Sequence, residues 1–217
     1  NRVDEPSIIS KEIESYLKQK GSYKHLKNHP YTTNNESFDV DTVIFSFDRP
    51  MQLYATLESM ERWMTNNSEI YVIYRFSEKK YNLAYKELHA RFPKIHFVCE
   101  NDFSRKNFKQ IVLETTFLKS TSNYIMFAVD DNIVKGSIDL KKCASSLHDT
   151  GAYGFYLKMG NHINYCGTQQ IDQKTPIHVH YKDDIYAWIF NQKNIGLGDW
   201  EYPNSVDMVV YNKKDLK

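Results

Sequence analysis

The stretch Tyr124–Asn132, which reads Tyr-Ile-Met-Phe-Ala-Val-Asp-Asp-Asn, places two adjacent carboxylates directly after a short apolar run. A continuous apolar run of this length is typical of a strand that is buried on both faces. Adjacent carboxylates such as Asp130 and Asp131 repel each other unless a cation or several hydrogen-bond donors lie between them. The segment therefore predicts either a cation site at a strand tip or an acidic turn, since Asp and Asn also favour turns.

Three strand–helix units precede this segment. The predicted strands are Val43–Phe47, Ile70–Tyr74 and Ile95–Val98. The first predicted helix begins at Pro50, the second covers Glu78–Arg91 with Ser77 as its N-cap, and the third covers Asp102–Leu118. This alternation indicates right-handed crossovers and a mostly parallel sheet. Ligands bind such sheets beyond the carboxyl ends of the strands. The predicted site therefore comprises the polar strand tips, which are Ser46–Arg49, Arg75, Asn101-Asp102 and Asp130–Asn132.

The turn Ser46-Phe47-Asp48-Arg49-Pro50 joins the first predicted strand to the first predicted helix. Backbone N–H groups at the start of a helix face an anion favourably. Arg49 is suited to meet a phosphate, and Asp48 to accept a hydrogen bond from a base or a ribose. The structural alternative is that Asp48 caps the helix, with Pro50 just inside it.

The bulk composition excludes several classes of protein. A chain of 217 residues that is 41% hydrophobic and 25% charged can form a folded domain with a core. A net charge of +1 without a basic cluster disfavours nucleic-acid binding. No apolar run reaches the roughly 18–20 residues of a transmembrane segment. The three cysteines lack a zinc or CxxC spacing, which predicts reduced thiols and a cytoplasmic location.

Together, the Ser46–Pro50 turn, the Gln52-Leu53 pair in the following helix, the repeated units and Asp130-Asp131-Asn132 resemble the family-2-like GT-A glycosyltransferases, which use nucleotide-sugars. The resemblance implies an α/β, Rossmann-like GT-A fold, with a mostly parallel central sheet flanked by helices and a mixed acceptor-side subregion. The predicted domain covers 39–217, with a donor half at 41–135 and an acceptor half at 136–217, after an N-terminal helical extension and linker at 1–38. The acceptor half is expected to stop short, because Lys213–Lys217 has the character of a helix start.

The resemblance also implies roles for donor-side residues. The nucleotide-binding positions are Ser46, Asp48, Arg49, Lys109 and Asp130, and the metal-binding positions are Asp130, Asp131 and Asn132. The implied cofactor is a divalent metal, Mn²⁺ or Mg²⁺, on a DxD-type signature. Asn132 departs from the pattern, because many members carry a second metal-binding Asp there. An amide oxygen ligates a hard cation without adding charge, so the expectation is a weaker metal site or a basic group that replaces part of the metal's role.

The acceptor half is expected to supply a catalytic base and aromatic platforms. An inverting transfer needs a carboxylate near the anomeric carbon of the donor to take the proton of the acceptor hydroxyl. The candidate bases are Asp199, Glu201 and Asp207, and the candidate acceptor-binding aromatics are Trp188, Trp200 and Tyr202. Aromatic rings can stack on sugar faces, and the alternative for each is core packing.

The predicted function is metal-assisted transfer of a sugar from a nucleoside diphosphate donor, a UDP-sugar by default, to a hydroxyl on a glycan, a lipid-linked molecule or a protein. One alternative is a sugar-phosphate nucleotidyltransferase, although those enzymes usually carry a glycine- and basic-rich loop after the first strand. The other is a degenerate, non-catalytic transferase that binds a glycan or a partner, which Asn132 supports. The expected location is cytoplasmic, with peripheral membrane association as the alternative.

Overall fold

The computed structural model describes residues 11–15, 37–102, 108–190 and 198–216. Residues 11–15 are helical, whereas the rest of the predicted N-terminal extension and its linker lies outside the described residues. The strands are β1 (Val40–Phe47), β2 (Met64–Thr65), β3 (Asn67–Arg75), β4 (His96–Cys99), β5 (Tyr124–Val129), β6 (Ile138–Asp139), β7 (Gly154–Tyr156), β8 (Tyr165–Cys166), β9 (Ile171–Asp172), β10 (His178–Lys182), β11 (Ile185–Trp188) and β12 (Val209–Asn212). The α-helices are α1 (Pro50–Trp63), α2 (Lys79–Arg91), α3 (Phe108–Glu114) and α4 (Leu140–Thr150).

The central sheet has the strand order β4-β3-β1-β5-β12-β7 within the described part of the chain. Strands β4, β3, β1 and β5 run parallel to one another, whereas β12 is antiparallel to both β5 and β7. This confirms the predicted mostly parallel α/β sheet with a mixed second half. The chain moves outward from β1 to β3 and β4, then returns to pair β5 on the other side of β1. The reversal creates a crevice at the carboxyl ends of β1 and β5, where such folds bind ligands.

Helices cover both faces of the sheet. Because successive strand residues point to opposite faces, Val43 packs on one side and Ile44 on the other. Helices α1, α2 and α4 bury apolar stripes on the Ile44 side, where Leu53 and Leu57 of α1 are almost fully enclosed. Helix α3 covers the Val43 side through Ile111. Full burial of each such side chain contributes about 1.5–3 kcal/mol, so the two apolar layers fix the register of β1 and hence the position of its polar tip.

A buried polar cluster anchors the amino end of the sheet. The Asp41 carboxylate accepts hydrogen bonds from Ser120 Oγ at 2.5 Å and Ser122 Oγ at 2.8 Å. Lys213, which directly follows β12, donates through its backbone N–H to Asn123 O and through Nζ to Ser120 O at 3.0 Å. The cluster ties the end of β12 to the loop before β5, since its donors come from both segments.

The chain divides into two compact units. The larger unit comprises Ser37–Leu147, Tyr153–Lys158 and Ser205–Lys217, and it contains the central sheet. The smaller unit includes His148–Ala152 and the described residues of Met159–Asn204, and it contains the hairpins β8–β9 and β10–β11. The predicted boundary at residue 38 and the predicted donor and acceptor halves stay predictions.

Several local expectations were wrong. Helix α2 begins one residue later than predicted, and Ser77 does not cap it, because its hydroxyl donates to Asp48 instead. Of the segment predicted as a helix over Asp102–Leu118, residues 103–107 lie outside the described residues, and the part that follows them is α3 and then a π-helix at Thr115–Lys119. Strands β10 and β11 form a hairpin that turns at Asp183, which has a positive φ of 47°. No described helix has the length and apolar character to span a bilayer.

Candidate functional site

An open cavity of about 790 Å³ lies at the carboxyl ends of the parallel strands. Its volume is within the usual range for small-molecule sites. Most of its polar lining comes from four strand tips in the larger unit, namely Ser46 and Arg49 at the end of β1, Arg75 at the end of β3, Glu100 after β4, and Asp130-Asp131 after β5. The structure thus brings together side chains that are far apart in sequence, at the switch point of the sheet.

Arg49 bridges the carboxylate pair. Its Nη1 lies 3.1 Å from Asp130 Oδ1 and 3.0 Å from Asp131 Oδ2. Asp130 is only 3% exposed, whereas the side chains of Arg49 and Asp131 are 45% and 48% exposed. The repulsion expected between adjacent carboxylates is therefore relieved by a guanidinium that keeps one side open to solvent.

A hydrogen-bond network holds the Asp130 carboxylate from behind. Ser46 and the backbone N–H of Phe47 both bond to it. The hydroxyl of Tyr85, in α2, lies 2.7 Å from Ser46 Oγ and accepts the backbone N–H of Arg49 at 3.2 Å. Burial raises the pKa of Asp130, and the charge of Asp131 raises it further, whereas the Ser46 bond, Arg49 and the Phe47 N–H oppose the rise. Asp130 is thus fixed in position, and the directed donors offset only part of the energetic cost of its charge, since its pKa stays raised.

Asp48 connects two strand tips. Its Oδ1 accepts the backbone N–H of Ser77 at 2.8 Å and its Oδ2 accepts the Ser77 hydroxyl at 2.5 Å. The residue has a positive φ of 56°, and its own N–H donates to Arg75 O. Asp and Asn are the non-glycine residues that most readily adopt this conformation. Arg49 is the N-cap residue of α1 and makes no side-chain cap bond, so the alternative role of Asp48 as a cap was wrong.

Asn132 closes the turn that follows β5. Its Oδ1 accepts the N–H of Val129 at 3.0 Å, and its backbone N–H donates to Val129 O. The amide oxygen predicted as a metal ligand therefore already has a partner within the chain. Lys109, the predicted donor contact, is exposed on α3, and its neighbour Phe108 lines the cavity.

Asp207 is the predicted base that lies in the same cavity as Asp130. It immediately precedes Met208, whose φ of 53° directs the chain into β12. Because β12 runs antiparallel to β5, the segment that leads into β12 lies at the end of the sheet where β5 terminates. Lys158 Nζ lies 2.8 Å from Asp207 Oδ2 and orients the carboxylate.

The remaining predicted acceptor-side residues belong to the smaller unit. Asp199 is clamped by Gln173, whose Nε2 donates to Asp199 Oδ2 at 3.1 Å and whose Oε1 accepts the Asp199 N–H at 2.8 Å. Gly198 allows this approach, since a Cβ there would lie 2.2 Å from Gln173 Oε1. Trp200 is buried, donates to Ile163 O and packs edge-on against Trp188, while Glu201 is half-buried and Tyr202 is exposed.

Two residues that were not predicted from the sequence, Tyr85 and Thr56, hold residues that line the cavity. Tyr85 belongs to the apolar stripe of α2 and has the pattern of a core residue, so nothing local marked its hydroxyl. Thr56, in α1, donates to the backbone oxygen of Asp130 at 2.7 Å. Both side chains carry a hydroxyl on the face of a helix that packs on the sheet. A hydroxyl on a buried helix face was the one feature of the sequence that could have indicated their role.

The arrangement can bind an anion and a cation side by side. Across the described ranges, no three His, Cys, Asp or Glu side chains are grouped so as to hold a metal ion. Asp130 and Asp131 nevertheless converge on one cation, as their shared contact with Arg49 shows. Two carboxylates fit Mg²⁺ or Mn²⁺ when phosphate oxygens and waters complete the coordination shell. The residues present therefore fit a two-carboxylate metal site, provided that Arg49 moves away.

Comparison with known proteins shows a sequence similarity to a glycosyltransferase. No protein-family model matches it. The chain is 26% identical over 188 residues to the bifunctional glycosyltransferase pgtA of Dictyostelium discoideum, a match that covers 80% of this chain and 24% of that protein. The chain therefore spans about a quarter of the length of this relative. The resemblance to glycosyltransferases inferred from the sequence is thereby confirmed.

Among solved structures, the chain is similar to the mannosyltransferase PcManGT from Pyrobaculum calidifontis in complex with GDP-Man and Mn²⁺. The TM-score is 0.41 at 12% identity, and the match covers 69% of this chain and 46% of the other.

Proposed function

We propose that this chain is a glycosyltransferase that moves a sugar from a nucleoside diphosphate donor to a hydroxyl acceptor. The observation that carries the proposal is the convergence of Ser46, Arg49 and the Asp130-Asp131 pair on one cavity at the switch point of the sheet. The similarity to a glycosyltransferase supports the same reaction class. A UDP-sugar is the default donor, and a GDP-sugar is the alternative that the test below separates from it.

The donor is proposed to lie across the tips of β1 and β5. Backbone N–H groups at the start of α1 and the Arg49 guanidinium face the diphosphate, because both favour anions. Phe47 is 54% exposed, lines the cavity, and has the Arg75 guanidinium 5.7 Å from its ring centroid. This pair offers the nucleoside an apolar face with a cation beside it.

A divalent metal is proposed to be held by Asp130 and Asp131. When bound, it would supply charge stabilisation for the leaving diphosphate. The chain itself orients the pair, since Ser46 and the Phe47 N–H fix Asp130 and Thr56 holds its backbone. Asn132 shapes the turn rather than adding a charged ligand, because its amide oxygen accepts the Val129 N–H.

Transfer forms a bond between the acceptor oxygen and the anomeric carbon, breaks the bond from that carbon to the diphosphate, and releases the hydroxyl proton. An inverting reaction needs a carboxylate to take this proton. Asp207 is proposed for that role, supported by its place in the cavity wall and by the Lys158 contact that orients it. Asp199 and Glu201 remain alternatives, and the Gln173 clamp on Asp199 supports a structural role for that residue.

A thermal-shift panel of UDP, GDP, CDP and CMP, each with and without Mn²⁺, tests the proposal. We expect one nucleoside diphosphate to raise the melting temperature, more strongly with Mn²⁺, and the corresponding sugar nucleotide to be hydrolysed slowly. Turnover of a nucleoside triphosphate with a sugar phosphate would instead establish a nucleotidyltransferase.

The variant Asp131→Asn should lose the metal-dependent part of the thermal shift. Asp184→Asn is the matched control, because Asp184, like Asp131, is the exposed second residue of an Asp-Asp pair but lies in the hairpin turn between β10 and β11. No stabilisation by any nucleotide, or an equal loss in both variants, would refute the proposed site.

A further inference from the structure

The cavity contains a cation supplied by the chain itself. Arg49 Nη1 contacts one oxygen of each carboxylate at nearly equal distances, 3.1 Å to Asp130 and 3.0 Å to Asp131. A position within about 3 Å of both carboxylates is also where a cation shared by them must lie. Arg49 and a metal ion therefore compete for one position.

We infer that Arg49 is the resident counter-cation of the Asp130-Asp131 pair, and that a divalent metal enters only as Arg49 leaves it for the diphosphate of the nucleotide. The inference rests on the proposed function. It assigns to Arg49 a second role, because a residue that only contacts phosphate would not control the affinity for the metal. Metal and nucleotide then bind cooperatively, because each favours the conformation of Arg49 that the other requires.

The backbone of Arg49 is fixed while its side chain can move. Its N–H donates to the buried hydroxyl of Tyr85, and its carbonyl oxygen accepts the Leu53 N–H in the first turn of α1. The side chain is 45% exposed and spans open cavity. Rotation about side-chain bonds therefore carries the guanidinium from the carboxylates toward a bound phosphate without disturbing the helix.

Electrostatics favour the replacement of Arg49 by a divalent metal only when an anion is bound in the cavity. With Arg49 between them, the two carboxylates retain part of their negative charge, whereas a divalent cation neutralises both. Displacing Arg49 into an empty cavity leaves a guanidinium without its ion pair, which opposes metal binding. A diphosphate removes that penalty, because the guanidinium forms charge-assisted hydrogen bonds with phosphate oxygens.

The neighbouring arginine provides a matched control. Arg75 lines the same cavity and is 60% exposed, but its guanidinium pairs with Glu100 at 3.9 Å rather than with Asp130 or Asp131. Arg75→Gln thus removes an equal charge from the same cavity and leaves the carboxylate pair with its Arg49 contact. Any general electrostatic effect on metal binding should appear in both variants.

The test is Mn²⁺ affinity of the full chain without nucleotide, measured from free Mn²⁺ by electron paramagnetic resonance. Arg49→Gln should bind Mn²⁺ about 5- to 150-fold more tightly than the unmodified chain, the usual range of coupling between sites. Adding the nucleoside diphosphate should strengthen Mn²⁺ binding by the unmodified chain and much less in Arg49→Gln. Arg49→Lys retains a cation and should bind Mn²⁺ nearly as weakly as the unmodified chain.

Unchanged or weaker Mn²⁺ binding by Arg49→Gln would overturn the inference, as would an equal gain in Arg75→Gln. Absence of Mn²⁺ binding in all variants would also overturn it, because the cleared carboxylates would then not hold a metal. The nucleotide panel with the unmodified chain decides the proposed function separately. Thermal unfolding of each variant without ligand verifies that all are folded.

Discussion

The hydroxyl of Thr56 donates a 2.7 Å hydrogen bond to the backbone oxygen of Asp130, and so joins the middle of α1 to the tip of β5. Both residues are buried. Helix α1 begins at the Arg49–Pro50 turn, so one helix presents a cation to the carboxylate pair at its start and fixes the backbone of the pair two turns later.

Replacing Thr56 with Val keeps its shape and leaves the buried Asp130 oxygen without this donor. We expect a loss of about 1–3 kcal/mol in the free energy of unfolding, the usual cost of a buried unsatisfied group. Urea unfolding measures it. Thr65→Val is the control, since the Thr65 hydroxyl donates to Ile138 O in an exposed setting, where a change within about 0.5 kcal/mol is expected. Equal losses would show that the Asp130 bond has no special value.

Removing the Tyr85 hydroxyl should loosen the network behind Asp130. Tyr85→Phe leaves the Arg49 N–H and Ser46 without their buried partner, so we expect about 1–3 kcal/mol lower stability and a smaller nucleotide-induced thermal shift. Tyr71→Phe removes a single 3.3 Å bond to Lys119 O, and the nucleotide shift should survive it. A Tyr85→Phe protein that keeps the full nucleotide shift would limit Tyr85 to a structural role.

Asp48 forms two hydrogen bonds with Ser77, and variants of the two residues distinguish a structural role of Asp48 from a nucleotide contact. If Asp48 acts only by joining the tips of β1 and β3, then Asp48→Asn and Ser77→Ala should weaken nucleotide binding equally, because each alters the bond from the Ser77 hydroxyl to Asp48 Oδ2 and leaves the bond from the Ser77 N–H in place. If Asp48 also contacts the nucleotide, Asp48→Asn should be the more damaging. We expect the equal result, since both carboxylate oxygens already have partners, and calorimetric titration with the nucleoside diphosphate measures the difference.

His89 should make stability fall in mild acid. Burial lowers the pKa of His89 from 6.5, and Lys86 lowers it further. Between the lowered pKa and 6.5 the unfolded chain binds more protons than the folded protein, so the free energy of unfolding rises with pH through this interval and falls on acidification. His89 also stacks on Phe97, with ring centroids 4.1 Å apart, and Phe is able to preserve that contact.

The free energy of unfolding should therefore fall less steeply in His89→Phe than in the unmodified chain as the pH is lowered from about 7 to about 5. Denaturant titrations at several pH values provide the measurement. The exposed His162, changed to Gln, should leave the slope of the unmodified chain intact. Parallel curves for His89→Phe and the unmodified chain would refute the assignment.

The parallel part of the fold was predictable because it is encoded locally. Each apolar run forms a buried strand, and each amphipathic segment after it packs on the sheet. The hydrophobic pattern alone therefore predicted the positions of β1, β3, β4 and β5. The placement of β12 between β5 and β7 was not predictable in this way, because pairing with a distant strand leaves no periodic signal in the chain.

The residues of the candidate site were predictable from the sequence, whereas the contacts between their side chains were not. The strand rule predicted that Ser46, Arg49 and Asp130 would meet, and the structure brings them to one cavity. The contact between Arg49 and both carboxylates could not be read from the sequence, since it depends on side-chain reach across the crevice. The role of Ser77 could not be read from the sequence either. A serine before a helix is a good N-cap, but the Ser77 hydroxyl donates to the Asp48 carboxylate instead.

The position of β12 has a consequence for how the protein is made. Its residues are synthesised after every proposed nucleotide contact, yet Val210 is fully buried between β5 and β7. Until the ribosome has released this segment, the nascent chain exposes an open β5 edge, which is a template for pairing with other chains. The proposed donor-binding residues are thus translated before the sheet that supports them can close, and a product that stops short of β12 would be prone to aggregate.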